Sequence, residues 1–382
     1  MNVAIPKLTR RDLFKLALTT YGAAACPEGL GLTSQVDSAP AADSSRASSS
    51  LREVAASRGI LFGSMVLKKQ LAADPKYAAL VAQQCGIIVP GNELKWDALH
   101  PAPSQFDFSE GDWIEQFARS HGMLFRGVPL VWEAALPKWL GATINLDNAE
   151  RMLLSHISTV AGHYAGQMHS WDVVNEGIQL EDERADGLKA TPWLIYIGPE
   201  YIDLAFHAAH QADPKALLVY NENWLEPENP AGEQKRQAVL SLLTRLLRRG
   251  VPIHGLGIQS HFFAEMNVVG PGFKRFLHAI ENLGLSILIT EMDVRGNLLP
   301  GDIAVRDGLV AKQYYNYLSF ILQFKSVKTV LTWGLSDRYT WISRGNPRKD
   351  GLPVRPLLYD AELQSKPTFA AVMRAFNEAP KR

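Results

Sequence analysis

Cysteine is almost missing: Cys26 and Cys85 are the only two in 382 residues, which excludes a disulfide framework. No sign of charge predominates, because 39 basic side chains face 39 acidic ones. An electrostatic footprint for nucleic acid or an anionic membrane is therefore absent, and a neutral substrate is expected. The mildly apolar stretch from Leu16 to Ala25 is too short for a membrane span. No Cys/His spacing of the zinc type occurs, so neither a metal nor a cofactor is expected. A glycine-rich phosphate loop is missing too. Gly59 to Gly63 runs on into Ser64-Met65-Val66, which disfavours an open, doubly wound nucleotide-binding sheet.

What is present divides into three parts. Thr9-Arg10-Arg11-Asp12-Leu13-Phe14-Lys15 resembles a twin-arginine export motif, and small residues follow where a signal peptidase could cut. Residues 1–33 are read as this signal segment, the alternative being an ordinary amphipathic first helix. Ala24-Ala25-Cys26 is a weak match to a lipoprotein attachment site, since Ala23 stands where that pattern prefers Leu. Residues 34–50, rich in Ser, Ala and Asp, have almost nothing to bury and read as a flexible tether. Residues 51–382 form the predicted folded domain, exported to the periplasm or beyond.

Within that domain short apolar runs alternate with longer amphipathic ones. Strands are predicted at Ile60–Met65, Gly86–Val89, Leu124–Val131, Ser170–Val174, Ala216–Tyr220, Gly255–Gln259, Ser286–Thr290 and Thr329–Trp333. Helical patterns fill the gaps, as at Ala149–Gly162, Pro199–Gln211, Glu233–Arg249 and Gln313–Phe324. Eight such alternations predict an α/β fold of the (β/α)8 barrel type, one parallel sheet closed on itself with helices outside.

Polar residues recur where the strands end, the face on which barrels of this kind carry their chemistry. The clusters are Asn92-Glu93-Leu94-Lys95-Trp96, Trp132-Glu133, Asn175-Glu176, Asn221-Glu222, Gln259-Ser260-His261, Glu291-Met292-Asp293 and Trp333-Gly334. Glu176 and Glu291 each follow an apolar run directly. Burying a carboxylate there costs several kcal/mol unless it is paired, so the position demands a reason. Glycoside hydrolysis provides one: two carboxyl groups flank an oxocarbenium-like transition state, about 5 to 5.5 Å apart when configuration is retained. Glu291 and Asp293 lie two apart and share a face, as do Gln259 and His261 on the neighbouring strand. A His261–Asp293 pair would position Glu291 and keep it ionised. That suits Glu291 as nucleophile and leaves Glu176 as acid/base, the two roles being divided by environment. Trp96, Trp132, Trp171, Trp333 and Trp341 sit at or near strand ends, and clustered indoles suit pyranose rings.

At these residues the chain resembles glycoside hydrolase family 10, the β-1,4-xylanase barrels, from about Gly63 to Ala370. Trp171-Asp172-Val173-Val174-Asn175-Glu176 resembles the family's acid/base strand and Ile289-Thr290-Glu291-Met292-Asp293 its nucleophile strand. Gly255 to His261 resembles the strand supplying a Gln and a His, and Trp333-Gly334-Leu335-Ser336-Asp337 with Trp341 the last aromatic segment. The resemblance implies that Asn175 bonds the 2-hydroxyl of the sugar being cleaved. It further implies that Asn92 and Lys95 hold the glycone, and that Trp132, Gln259 and His261 line the catalytic subsite. The implied partner is a neutral polysaccharide or oligosaccharide, with no stable protein partner and a monomeric chain expected.

Departures cluster on the glycone side. Gly91 replaces a glutamate, and Val128, Glu133 and Ala135 replace two histidines and a glutamine of the third-strand pattern. Three lost contacts at about 0.5 to 1.5 kcal/mol each predict weakened binding of plain xylan. Smaller residues at 91 and 135 are expected to leave room for a hydroxymethyl group or a branched sugar. Three functions stay open: a retaining xylanase-like endo-glycanase, a weakly active or non-catalytic carbohydrate-binding barrel, and a β-glycanase of glucose-type or branched glycone specificity.

Overall fold

The computed structural model describes residues 49–382. The readings of residues 1–33, of Cys26 and of the tether up to Ser48 lie outside the described residues. Ser49–Arg382 forms one compact unit. It opens on a capping box: the Ser50 hydroxyl accepts from Glu53 N while the Glu53 carboxylate accepts from Ser50 N, starting helix Leu51–Ser57. Ser50 is itself buried.

The strands are β1 (Leu61–Val66), β2 (Ile87–Pro90), β3 (Leu124–Gly127), β4 (Met168–Asn175), β5 (Leu217–Glu222), β6 (Gly255–Ile258), β7 (His261–Phe263), β8 (Ser286–Arg295) and β9 (Val327–Thr332). Strands β1 to β6 pair in order, β6 pairs β8, β8 pairs β9 and β9 returns to β1, every pair parallel. Eight strands thus close into the (β/α)8 barrel that the alternation predicts. The strands are buried almost throughout and rich in Val, Ile and Leu, with buried polar groups such as Arg126 and Asp172 set among them, as befits a sheet covered on both faces. Helices such as Ala149–His163, Tyr201–Ala212 and Pro230–Arg248 fill the crossovers. Among the described residues no helix is long and apolar enough to cross a membrane. Cys85 is buried just ahead of β2, and desolvation pushes its thiol up to about 12.

Three expectations are adjusted. The predicted third strand is broken, because β3 ends at Gly127 and Pro129 has no amide proton to donate. Pairing with β4 resumes beyond the proline, through Leu130 N to Asp172 O at 2.8 Å and Val131 N to Val173 O at 3.0 Å. The last long helix begins at Ile303, ten residues before the predicted start, with the Asp302 carboxylate capping Val305 N. Gln259 and His261 do not share an unbroken strand. Ser260 between them has φ +61°, and β7 pairs instead with the outer half of β8, His261 opposite Asp293.

Candidate active site

Glu176 terminates β4 with a left-handed backbone, φ +53°. That conformation is uncommon for a residue with a side chain and persists only where surroundings hold it. Its amide donates to Asn221 O at 2.9 Å. The two residues beyond it are clamped by Glu222, whose carboxylate accepts from Ile178 N at 3.2 Å and Tyr220 Oη at 2.7 Å. Lys235 pairs with Glu222 at 3.0 Å and donates to Ile178 O at 3.1 Å. So held, the Glu176 carboxylate accepts from Trp132 Nε1 at 2.9 Å and Gln259 Nε2 at 3.0 Å.

Glu291 emerges midway along β8. Asn221 Nδ2 donates to its Oε1 at 2.9 Å, and His261 Nε2 lies 3.2 Å from its Oε2. The same imidazole forms an ion pair with Asp293 at 2.9 Å through Nδ1, and Trp341 Nε1 donates to Asp293 at 2.8 Å. Burial works against charge on His261, but Asp293 and then Glu291 outweigh it and push the imidazole up to about 9. Asp293 is correspondingly held below its ordinary range: burial opposes this and the His261 charge overcomes it. The imidazole therefore stands between two carboxylates, hydrogen-bonded to Glu291 through Nε2 and ion-paired with Asp293 through Nδ1.

The two glutamates are joined through amides. Gln259 Nε2 reaches Asn175 Oδ1 at 3.2 Å as well as Glu176, and Asn221 Nδ2 reaches Asn175 Oδ1 at 2.9 Å as well as Glu291. Thr290 Oγ1 donates to Asn221 Oδ1 at 2.7 Å and fixes which way that amide points. On the Glu176 side, Lys95 Nζ donates to Asn92 Oδ1 at 3.0 Å and stands 5.3 Å from the Trp132 ring centroid. On the Glu291 side, the Trp333 and Trp341 rings meet His261 edge-on, with centroids 6.1 and 5.4 Å away. Asn92, Lys95, Trp132, Asn175, Glu176, Gln259, His261, Glu291, Asp293, Trp333 and Trp341 thus belong to one chain of contacts across the barrel mouth.

Sequence reasoning missed Asn221 as a member of the site. The signal was there, for Asn221-Glu222 ends β5 in the same way that Asn175-Glu176 ends β4. It also missed Lys189, whose ammonium a loop brings to 3.9 Å from Glu176 Oε2 without any periodic trace. Two aromatics are corrected. Trp96 and Trp171 are buried in the core, Trp96 stacked on His156 at 3.5 Å and Trp171 packed against Gly127, where any Cβ would overlap its ring. The expected room at position 91 is absent as well. A Cβ on Gly91 would lie 2.6 Å from Met65 Sδ and 2.8 Å from Leu67 Cδ2, so those side chains occupy the space a glutamate stem would need. Val128 and Ala135 are likewise buried. The neighbouring Glu93 faces inward and accepts from Lys68 N at 2.7 Å and Asn92 N at 3.1 Å, fixing the loop that presents Asn92.

Two carboxylates of unlike surroundings at the mouth of a parallel barrel, joined by amides and rimmed by indoles, define a glycoside hydrolase. The comparisons agree and narrow the class. The model of glycosyl hydrolase family 10 matches residues 50–375, and the chain belongs to that family. It is 32% identical over 308 residues to endo-1,4-beta-xylanase B of Thermotoga neapolitana, covering 80% of this chain and 85% of that one. With the beta-1,4-xylanase of Dictyoglomus thermophilum it shares 34% over 312 residues, 78% and 84% of the two chains. The crystal structure of native xylanase 10B from Thermotoga maritima superposes with a TM-score of 0.78 at 31% identity, covering 86% of this chain and 98% of that one.

Proposed function

We propose that the chain is a retaining endo-β-1,4-glycanase of xylanase type, with Glu291 as nucleophile and Glu176 as acid/base. The observation that carries this reading is the asymmetry of the two carboxylates. Glu291 is faced at hydrogen-bond distance by a doubly ion-paired imidazole and an amide donor. Glu176 accepts hydrogen bonds from neutral groups, an indole N–H and an amide, and the nearby cation, Lys189, stands farther off at 3.9 Å and is in contact with Glu133.

In the first step Glu291 Oε attacks the anomeric carbon as Glu176 gives its proton to the departing glycosidic oxygen. Aglycone leaves and a glycosyl ester forms. In the second step Glu176, now a carboxylate, takes a proton from water, which attacks the same carbon and expels Glu291. Asn175, held between Asn221 and Gln259, is placed to bond a hydroxyl next to the reacting carbon. Asn92, Lys95 and Trp132 flank the Glu176 side as a polar and aromatic platform, and Trp333 and Trp341 flank the Glu291 side. Lost polar groups at 91, 128 and 135 fit weaker glycone binding, seen as a raised KM. The filled space around Gly91 removes the argument for a bulkier glycone at that position. Proton NMR of a xylooligosaccharide digest tests the reading. The β-anomer is expected as first product, and the α-anomer would overturn it.

The twin-arginine motif at Arg10 and Arg11 carries the further proposal that the protein is exported and acts on extracytoplasmic polysaccharide. Replacing Arg10 and Arg11 together by lysine is expected to retain it in the cytoplasm.

A further inference from the structure

One ion pair at the site has no part in the mechanism above. The segment after Glu176 folds back as a small hairpin, with Ile178 bridged to Leu188 and Lys189 N donating to Gly177 O at 2.8 Å. This return brings the Lys189 ammonium to 3.9 Å from Glu176 Oε2. On its other side Lys189 is in direct contact with Glu133, the residue that stands immediately after Trp132 where the resembled pattern has histidine. The second oxygen of Glu133 is buried and accepts no hydrogen bond. Three charges therefore lie in a row, carboxylate, ammonium, carboxylate, and the last belongs to the group assigned the proton transfer.

Building on the assignment of Glu176 as acid/base, we propose that Glu133 and Lys189 form a charge-balancing couple that sets the proton occupancy of Glu176. Glu133 acts as a positioning residue through Lys189. Lys189 alone would favour ionised Glu176 and deprive the first step of its proton. Glu133 counters this twice, by holding the ammonium toward itself and by adding a negative charge near Glu176. The other groups facing the couple leave this balance to it. Trp132 and Gln259 are uncharged donors to Glu176. Glu222 acts on Lys189 from β5 but is already paired with Lys235. Tyr201, from helix Tyr201–Ala212, is a neutral phenol raised above its ordinary range by burial and by Glu133. Consistent with this geometry, burial raises the Glu133 carboxyl, Lys189 opposes it and Glu176 adds to it. The Lys189 ammonium is held above its ordinary range, burial opposing and Glu133 prevailing.

The prediction is a pair of opposite shifts. In full pH profiles of kcat/KM on an unactivated xylooligosaccharide, Glu133→Gln is expected to move the alkaline limb down by about one pH unit, and Lys189→Met to move it up by about as much. The double variant should return the limb toward wild type, and Glu133→Asp, which keeps the charge, should sit close to wild type. A fold disturbed by substitution would lower kcat without producing opposite signs. The proposal is overturned if the two single variants leave the limb in place or move it the same way. Glu176→Ala is run alongside. If it keeps the wild-type alkaline limb, the acid/base assignment itself fails. If it abolishes that limb while the couple's variants do not move it, only the proposal made here fails.

Discussion

Asn221 shows how much one amide can organise. Its Nδ2 serves both Asn175 and Glu291, and its Oδ1 takes the Thr290 hydroxyl. Truncating it leaves Glu291 steered by His261 alone. Asn221→Ala is expected to lower kcat/KM on an aryl β-xylobioside by on the order of 10²-fold, the scale for loss of one preorganised donor. His261 makes a prediction about pH. Its folded-state value, about 9, lies above the ordinary 6.5, so its ion pairs stabilise the fold fully below about pH 6.5 and are lost as pH rises through about 9. Thermal melting followed across that window should fall in wild type and fall less in His261→Asn. At this scale the sequence was informative where a polar residue ends an apolar strand, as at Asn175, Glu176 and Glu291. It was silent at Lys189, because a hairpin rather than a strand register brings that side chain to Glu176.

Elements explain why Glu176 keeps its left-handed turn. The Glu222–Lys235 pair ties the end of β5 and helix Pro230–Arg248 to the backbone at Ile178. Glu222 is wholly buried, and removing one partner of a buried pair costs about 3 to 5 kcal/mol. Lys235→Met is expected to destabilise the protein by about that amount in chemical denaturation, and to lower kcat because the segment after Glu176 loses its clamp. Strand positions were legible because buried parallel strands are largely apolar. The exception is instructive: Val128-Pro129 is apolar enough to read as strand, yet the proline nitrogen cannot join the ladder. Local backbone events such as φ +61° at Ser260 leave no compositional trace, which is why Gln259 and His261 were placed on one strand.

At the scale of the molecule, closure of the barrel joins β9 to β1, and Arg382 secures that seam. Its guanidinium donates to Val327 O, Leu322 O and Phe324 O, between 2.7 and 3.2 Å, and its amide donates to Arg58 O at 3.0 Å. Arg382→Ala is expected to cost about 1 to 3 kcal/mol of stability, the scale for orphaning buried carbonyls, with kcat/KM unaltered because the seam lies at the other end of β9 from Trp333. Eight alternations of strand and helix made closure legible, whereas the register that brings β4, β5, β6 and β8 to one mouth depends on pairing between distant segments. Everything assigned to the site rests on Glu291 becoming covalently linked to sugar. Incubation with a 2-deoxy-2-fluoro aryl β-xylobioside, followed by intact-mass and peptide-mass analysis, tests this directly. The account predicts one glycosyl unit per chain, carried on the peptide containing Glu291 and absent in Glu291→Ala. Label on any other residue, or turnover with no covalent adduct and inverted product, would contradict it.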